Sequence, residues 1–384
     1  MTPAARHQAA IEILERILAG AAAEQALTSW ARASRFAGSG DRAAIRDLVF
    51  AALRCKRSFA HLGGSETGRG LVLGGLRAAD VPPETIFTGS RHAPAPLTDA
   101  EARHCPAPMP ETVALDCPDW LAPELGDSLG SDFAAVMQAL QGRAPVILRV
   151  NAARISRPDA QAMLLTDSIA THPHPLAIHA LEVTENPRAV QSSTAYLTGL
   201  VELQDAASQA VIEHLAPLEG ARVLDYCAGG GGKSLALAAL GAQVTAHDID
   251  PGRLRDLPRR ARRAGAAITL TDAPTGTFDL VLTDVPCSGS GSWRRSPDAK
   301  WRLTSARLGQ LIAIQAEIVQ DTLPYLRPGG RLAYVTCSLL ASENERQVAG
   351  FLARTPALAL TFQRHFTPCD GGDGFFLAVM EMRN

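Results

Sequence analysis

From residue 220 onward, the chain alternates short apolar runs with segments of helical periodicity. The runs predict strands within ARVLDYC, AQVTAHDID, AITLTD, FDLVLTD and RLAYVTCS. Strands that alternate with helices predict a parallel, doubly wound sheet, because parallel neighbours need long crossover connections. The runs are nearly all apolar, as expected when helices cover both faces of the sheet. This part of the chain is therefore predicted to be an α/β domain.

The residues before this domain fall into three further segments. Residues 5–62 carry apolar side chains at helical spacing, with Asp41 as a candidate N-cap, and residues 65–80 add another helix. Pro and Thr are frequent from 81 to 110, and mixed helix and strand patterns follow. We therefore predict an all-helical domain (1–80), a linker (81–110), a small α+β domain (111–205) and the α/β domain (206–384).

Composition excludes several classes of protein. The chain has 384 residues, 46% of them hydrophobic, and a net charge of -2, so it is neither disordered nor uniformly basic. No apolar run reaches the roughly 20 residues of a membrane helix, and the first residues predict an amphipathic helix. The seven cysteines include no CxxC pair, which argues against a metal site and a disulfide framework. A cytoplasmic monomer without a metal ion is the expectation.

A glycine-rich loop lies between the first predicted strand of the α/β domain and the helix after it. It reads Asp-Tyr-Cys-Ala-Gly-Gly-Gly-Gly-Lys-Ser over residues 225–234. A P-loop would need glycine where Cys227 stands, and a dinucleotide loop would need glycine at Ser234. The DxxxGxG pattern of S-adenosylmethionine (SAM) enzymes is met by Asp225, Gly229 and Gly231. The predicted cofactor contacts in this loop are Asp225, Cys227, Ala228, Gly229, Gly230, Gly231, Gly232 and Lys233.

Acidic residues follow successive predicted strands. Asp248 comes after the second strand, Asp272 after the third and Asp284 after the fourth. Because the carboxyl ends of parallel strands meet at one edge, these side chains should converge with Asp225 on a crevice. We expect Asp248 to accept from the ribose hydroxyls of SAM and Asp272 from its adenine. Asp284 is expected both to contact the cofactor and to lie at the reacting centre. Asp250, which precedes Pro251, is instead expected to cap a helix.

Two cysteines follow strands of the same predicted sheet. Cys287 lies in Asp-Val-Pro-Cys-Ser-Gly after the fourth strand, and Cys337 lies in Thr-Cys-Ser after the fifth. A thiolate that adds to carbon 6 of a pyrimidine makes carbon 5 nucleophilic enough to attack the SAM methyl group. Asp284 near N3 would assist this addition if it is protonated or shares a proton, and burial would raise its carboxyl pKa in the required direction. The pattern does not decide which cysteine is the nucleophile.

The chain resembles the Sun/Nop family of SAM-dependent RNA cytosine-C5 methyltransferases, most closely its bacterial ribosomal-RNA members. The resemblance covers residues 110–384 and rests on the matching segments LRVN (148–151), LQDAASQ (203–209), VLDYCAGGGGKS (223–234), TDVPCSGSGSWRRSPDAKW (283–301), YVTCSLLASENERQV (334–348) and DGFF (373–376). It implies a Rossmann-like class I methyltransferase domain, preceded by the small α+β domain and by a helical domain like that of antitermination factors.

The resemblance also implies roles for single residues. Cys337 would be the nucleophile, Cys287 would assist proton removal and product release, and Lys233 would lie near the reacting site. The chain departs from the family in its cofactor loop, where Gly229 and Gly230 replace the usual Ala and Pro. A more flexible loop and weaker SAM binding are therefore expected.

RNA, most plausibly 16S ribosomal RNA, is the expected partner. Basic and aromatic residues directly follow the Cys287 motif, which suits phosphate contact and base stacking by Arg294, Arg295 and Lys300. The resemblance adds Arg149 and Asn151 in the α+β domain. The arginines between 253 and 263 fit either RNA contact or an ordinary solvated helix. Two alternatives remain: the same reaction on transfer RNA, and a non-catalytic RNA-binding or antitermination module.

Overall fold

The computed structural model describes residues 1–383. Its α-helices over that range are α1 (Pro3–Leu18), α2 (Ala23–Ala33), α3 (Ser39–Arg54), α4 (Lys56–Gly63), α5 (Gly68–Ala78), α6 (Asp99–Arg103), α7 (Glu111–Ala114), α8 (Ala122–Leu129), α9 (Phe133–Gln141), α10 (Arg157–Thr166), α11 (Thr194–Leu197), α12 (Ala206–Glu213), α13 (Gly232–Ala239), α14 (Leu257–Ala264), α15 (Pro297–Arg302), α16 (Ser305–Thr322) and α17 (Glu345–Arg354). Its strands are β1 (Val146–Val150), β2 (Thr171–Pro173), β3 (Ala180–Val183), β4 (Val201–Leu203), β5 (Arg222–Asp225), β6 (Gln243–Ala246), β7 (Ile268–Leu270), β8 (Phe278–Asp284), β9 (Leu326–Thr336), β10 (Leu358–Phe366) and β11 (Phe375–Met382).

These elements form two compact units. The helical unit contains Met1–Arg143 and Trp293–Arg302, and the sheet unit contains Ala144–Ser292 and the chain from Leu303 onward. This division differs from the predicted boundaries at 80, 110 and 205. The predicted linker and the helices after it belong to the helical unit, where Arg69 pairs with Glu101 at 2.7 Å. The buried carboxyl of Asp116 likewise accepts from the backbone N–H of Arg57 at 2.7 Å.

The helical unit follows the predicted helical spacing. Ile13 and Leu14 of α1, Ile45 of α3 and Leu71 of α5 are fully buried in one core. Asp41 is not the N-cap of α3, because the helix already begins at Ser39. The Asp41 carboxylate instead lies in the first turn, where the helix dipole favours an acid, and it pairs with the N-terminus at 3.1 Å.

The segment Trp293–Arg302 closes the C-terminal end of α3. The last carbonyl groups of a helix lack partners within the helix, so side chains or water must supply donors. Trp301 Nε1 donates to the carbonyl oxygen of Leu53 at 2.6 Å, and Lys300 Nζ donates to that of Arg54 at 3.2 Å. Burial lowers the pKa of Lys300 to about 8. This segment is therefore an integral part of the helical unit.

The sheet unit contains two sheets. The smaller one has the order β2-β3-β1-β4 with antiparallel pairs throughout, and α10 packs against it through Leu164. This is the arrangement expected of the α+β region. The larger sheet has the order β10-β11-β9-β8-β5-β6-β7, and β9, β8, β5, β6 and β7 are parallel as predicted.

The larger sheet is not parallel throughout. β11 pairs antiparallel with β9, and β10 pairs antiparallel with β11. The short connection from Phe366 to Phe375 suffices here, because antiparallel neighbours need no crossover helix. The alternation of strands and α-helices therefore continues through α17 to β10 and ends between β10 and β11. No helix within residues 1–383 is long and apolar enough to cross a membrane.

Trp301→Phe should lower the free energy of unfolding of the helical unit by about 1 kcal/mol, because the Leu53 carbonyl group loses its donor while the aromatic packing remains. Urea denaturation, together with hydrogen exchange in the last turn of α3, measures the effect. Trp120→Phe is the matched control, since Trp120 is 43% exposed in the same unit. Equal effects of the two variants would contradict the capping role.

Candidate active site

The centre of the larger sheet brings the predicted site residues of the sheet unit together. The chain runs outward from β5 through β6 to β7 and then returns to the other side of β5 as β8. Such a reversal opens a crevice at the carboxyl ends of the strands. Asp225 ends β5, Asp284 ends β8, and Cys337 directly follows β9.

The glycine loop has a backbone that only glycine adopts easily. Gly229 has a φ of 52° and Gly231 a φ of 79°, both in the left-handed region. A Cβ atom on Gly231 would also lie 2.2 Å from Leu257 Cδ1. The loop therefore brings bare backbone to the crevice and leads directly into α13.

Asp225 lies at the bottom of this crevice. Its side chain is fully buried, and one carboxyl oxygen accepts from Ser234 Oγ at 2.6 Å. The other oxygen, Oδ1, has no hydrogen-bond partner in the described part of the chain. Burial raises the pKa of Asp225 to about 7. An unpartnered buried acceptor beside a glycine loop is a place for a donor group of a ligand.

Asp248 is fixed against the glycine loop. Its carboxylate accepts from the backbone N–H of Gly229 at 2.9 Å and from that of Asp250 at 3.0 Å. Arg253 pairs with the same carboxylate at 3.2 Å. Asp250 caps the following turn by accepting from the N–H of Gly252, as expected. Asp248 thus lies against the glycine loop, and its contact with the cofactor stays a prediction.

Asp272 differs from the other strand-end acids, because its side chain is exposed two residues beyond the end of β7.

The loop residues Cys227 and Ala228 lie between Asp225 and the glycines. The N–H of Ala228 donates to the carbonyl oxygen of His247 at 2.9 Å, and burial raises the pKa of the Cys227 thiol. Cys227 is therefore a packed thiol.

Arginines hold the outer side of the glycine loop. Arg260 donates to the carbonyl oxygen of Gly230 and pairs with Glu202. A Cβ atom at Gly229 or Gly230 would lie 3.2 Å from the guanidinium of Arg253 or Arg260, respectively. The glycines that replace Ala and Pro in this chain thus leave room for two guanidinium groups. These contacts restrain a loop that the sequence predicts to be flexible.

Lys233 and Asp284 form an ion pair over the crevice. Lys233 Nζ donates to the Asp284 carboxylate at 2.6 Å and lies 5.0 Å from the ring centre of Phe375. Burial disfavours the ammonium, but the charge and hydrogen bond of Asp284 outweigh it and raise the pKa of Lys233. The Asp284 side chain is 32% exposed, and its carboxyl group is paired with Lys233. A proton held or shared by Asp284 stays a prediction of the sequence.

The two strand-end thiols lie side by side. Cys287 Sγ and Cys337 Sγ are 3.3 Å apart, and neither forms a disulfide. The hydrogen bond with Cys337, together with burial, raises the pKa of Cys287. A raised pKa keeps Cys287 as a neutral thiol. Cys337 lies near Lys233 and contributes to the raised pKa of that lysine. The pair therefore places two sulfur atoms side by side in unequal surroundings.

The residues predicted to contact RNA are mostly enclosed. Arg149 donates to the carbonyl oxygen of Gly232 at 2.7 Å, and burial lowers its pKa to about 10. Asn151 is buried and donates to the carbonyl oxygens of Gly199 and Ala264.

In the helical unit, Lys300 and Arg294 are also buried, whereas Arg295 is exposed. The side chains of Arg149, Asn151 and Lys300 thus donate to carbonyl oxygens within their own units, and RNA contact by the four buried residues stays a prediction. Among residues 1–383, no cluster of His, Cys, Asp and Glu could hold a metal ion.

Comparisons with known proteins match this architecture. A family model described as 16S rRNA methyltransferase RsmB/F matches residues 212–380, and a model of the RsmF/B-like ferredoxin-like domain matches residues 117–191. Ribosomal RNA small subunit methyltransferase B of Citrobacter koseri is 35% identical over 280 residues, which cover 68% of this chain. The chain belongs to the RsmB/F methyltransferase family. The resemblance to the Sun/Nop family is thereby confirmed.

The match spans 65% of the Citrobacter relative's length. Among solved structures, the protein PH0851 has a TM-score of 0.79 over 99% of both chains at 22% identity, which shows a shared fold. A methyltransferase homologue from Pyrococcus horikoshii has a TM-score of 0.63 at 25% identity and covers 71% of this chain and 97% of its own. The predicted fold class is confirmed.

Sequence reasoning missed two residues of this RsmB/F site. Phe375 begins β11 and stacks under Lys233, and Glu343 lies fully buried beneath the cysteine loops. Both occur in segments that carry the family resemblance, DGFF and SENE. The acid in Ser-Glu-Asn, five residues after Thr-Cys-Ser, was the available signal for Glu343.

Asp225→Asn tests the raised pKa of Asp225. The pKa of Asp225 is about 7 in the folded protein against 3.8 for an ordinary Asp. Between pH 3.8 and about pH 7, the folded state therefore keeps a proton on this carboxyl that the unfolded state has lost. The contribution of Asp225 to stability is therefore lost as pH rises from about 4 to about 7. Asparagine does not titrate, so the free energy of unfolding of Asp225→Asn should rise relative to that of wild type by about 1 kcal/mol per pH unit in this window.

Urea denaturation at pH 5 and pH 7 measures this difference. Asp279→Asn is the control, because a backbone hydrogen bond from Arg222 lowers the pKa of Asp279 and places its titration below this window. If the free energy of unfolding changes equally between pH 5 and pH 7 in Asp225→Asn and in wild type, the raised pKa of Asp225 is contradicted.

Proposed function

We propose that this protein transfers a methyl group from SAM to carbon 5 of a cytosine in 16S ribosomal RNA through a covalent cysteine adduct. The observation that carries the proposal is the pair of thiols 3.3 Å apart, beside the Lys233–Asp284 ion pair and the glycine loop. A non-catalytic RNA-binding module would have no need for two adjacent thiols at this position. We further propose that it works as a monomer in the cytoplasm, since free cysteines suit a reducing compartment.

The residues present fit SAM. The unpartnered Oδ1 of Asp225 is an acceptor for the amino group of the methionine part, and Asp248 is an acceptor for the ribose hydroxyls. The glycine loop lets the backbone approach the ligand closely, and Asp272 is an exposed candidate for the adenine. When bound, SAM supplies the methyl group that carbon 5 takes up.

The protein's own residues perform the remaining steps. The Cys337 sulfur bonds to carbon 6, while the Lys233 ammonium, held by Asp284, provides a proton for N3. The Cys287 thiol then passes its own proton to the Lys233 amine that the first step left. After carbon 5 is methylated, the resulting Cys287 thiolate assists removal of the carbon 5 proton by accepting it. The carbon 6–sulfur bond then breaks and releases Cys337. The assignment of the two cysteines rests on the family resemblance, and their 3.3 Å separation lets both reach the same ring.

The choice of substrate rests on relatives. The matching family model is described as a 16S rRNA methyltransferase, and the curated relatives are small subunit rRNA methyltransferases. Methyl transfer to transfer RNA uses the same chemistry, so the assay below includes both RNAs.

Cys337→Ala should abolish transfer of labelled methyl groups to unmodified ribosomal RNA, because no sulfur remains to activate carbon 5. Cys287→Ala should accumulate a covalent protein–RNA adduct, since addition proceeds and elimination stalls. Bisulfite sequencing of ribosomal and transfer RNAs locates the methylated cytosine, and denaturing gels detect the adduct. Cys369→Ala, at an exposed cysteine, is the control. Full activity in Cys337→Ala would contradict the proposed nucleophile.

Asp248→Asn should weaken SAM binding by roughly tenfold, because the ribose loses a charged acceptor while the amide oxygen still accepts from Gly229. Isothermal titration calorimetry without RNA measures the affinity. Asp250→Asn is the matched control, because Asp250 caps the neighbouring turn. An affinity unchanged by Asp248→Asn would remove this residue from the ribose site.

A further inference from the structure

Glu343 is a buried acid at the centre of a polar network beneath the two thiols. Its side chain is fully buried between α16 and the loops that follow β8 and β9. Burial of a carboxylate is costly unless several donors compensate it. The Glu343 carboxylate accepts four hydrogen bonds, and these compensate its burial.

Both cysteine loops supply donors to this carboxylate. Ser288, next to Cys287, donates its backbone N–H at 2.8 Å and its hydroxyl at 2.5 Å. Ser338, next to Cys337, donates its hydroxyl at 2.5 Å. The carboxylate thus holds the residue that follows each thiol.

Two further contacts fix Glu343 itself. Gln315 Nε2 of α16 donates to the carboxylate at 2.9 Å, and the Tyr334 hydroxyl donates to the Glu343 carbonyl oxygen at 2.7 Å.

Direct bonds also join the two loops. The N–H of Gly291 donates to the carbonyl oxygen of Cys337 at 3.0 Å, the N–H of Leu339 donates to Ser290 Oγ at 2.8 Å, and Ser338 Oγ lies 3.2 Å from both Ser288 Oγ and Ser290 Oγ. The Glu343 carboxylate differs from these bonds in that it binds the residues adjacent to both sulfurs at once.

We propose that Glu343 is a positioning residue that sets the spacing of Cys287 and Cys337 through Ser288 and Ser338. The inference rests on the proposed function for its catalytic meaning, since that reaction needs both sulfurs at one ring. Glu343 does not touch the reacting atoms, and its role requires only an acceptor geometry. An amide can keep this geometry, because the serine hydroxyls can reverse and accept from its NH2 group.

The spacing of the thiols can be measured without RNA or SAM. Diamide takes two hydrogens from two neighbouring thiols, becomes the hydrazine and leaves a disulfide. From 3.3 Å, the sulfurs need only a small movement to reach disulfide distance. The rate of this reaction, followed by peptide mass spectrometry of the full chain, therefore reports how well the two loops are held together.

Glu343→Ala should slow formation of the Cys287–Cys337 disulfide by roughly tenfold, because charge-assisted hydrogen bonds to both loops are lost. Glu343→Gln should restore a rate within about threefold of wild type. The single-turnover rate of methyl transfer should likewise fall in Glu343→Ala and recover in Glu343→Gln, while the affinity for SAM stays unchanged in both variants. Glu345→Ala is the matched control, because Glu345 pairs with His365 and not with the cysteine loops.

Ser338→Ala provides a second test if Glu343→Ala does not fold. It removes one donor from a loop and should slow the disulfide reaction severalfold. Wild-type rates in folded Glu343→Ala, or in Ser338→Ala where Glu343→Ala is unfolded, would overturn the proposal. If the disulfide rates follow the expected order but wild-type protein methylates no RNA, the positioning role stands and the proposed function fails.

Discussion

The site depends on one topological constraint, the reversal of strand order between β5 and β8. Parallel strands place all their carboxyl ends at one edge of the sheet. The connections that follow β5 and β8 lead in opposite directions from there, which leaves a crevice at the middle of this edge. The ends of β5, β8 and β9 thereby deliver an acid, a second acid and a thiol to one crevice. Residues that are far apart in the chain meet there without any long loop having to fold over them.

Burial then gives the converging groups different properties. Asp225 is enclosed and has a raised pKa, whereas Asp284, which lies at the open side, is paired with Lys233. The two thiols likewise differ in their surroundings. Cys287 lies against the Glu343 network, whereas Cys337 lies near Lys233 and contributes to the raised pKa of that lysine. Side chains of the same type can thus take different roles, and their surroundings, not their identities, separate those roles.

Several sequence predictions were limited by what local patterns can show. The parallel strands and the helices between them were predictable, because each has its own periodicity and strand-end acids mark the ligand edge. The antiparallel pair β10 and β11 was not, since no α-helix separates these two strands and the alternation of strand and helix stops there. Basic residues such as Lys300 and Arg149 suggested RNA contact, yet Lys300 caps α3 and Arg149 holds the start of α13. A charged residue does not reveal its burial in the sequence.

By itself, the sequence determined the fold class, the glycine loop, the strand-end acids and the two candidate cysteines. These features are encoded locally, in spacing and in residue type. Only the tertiary structure decided that the thiols lie 3.3 Å apart, that Lys233 pairs with Asp284 at 2.6 Å, and that Glu343 holds both cysteine loops. Such distances and environments arise between segments that are remote in the chain, and packing, not spacing along the chain, sets them.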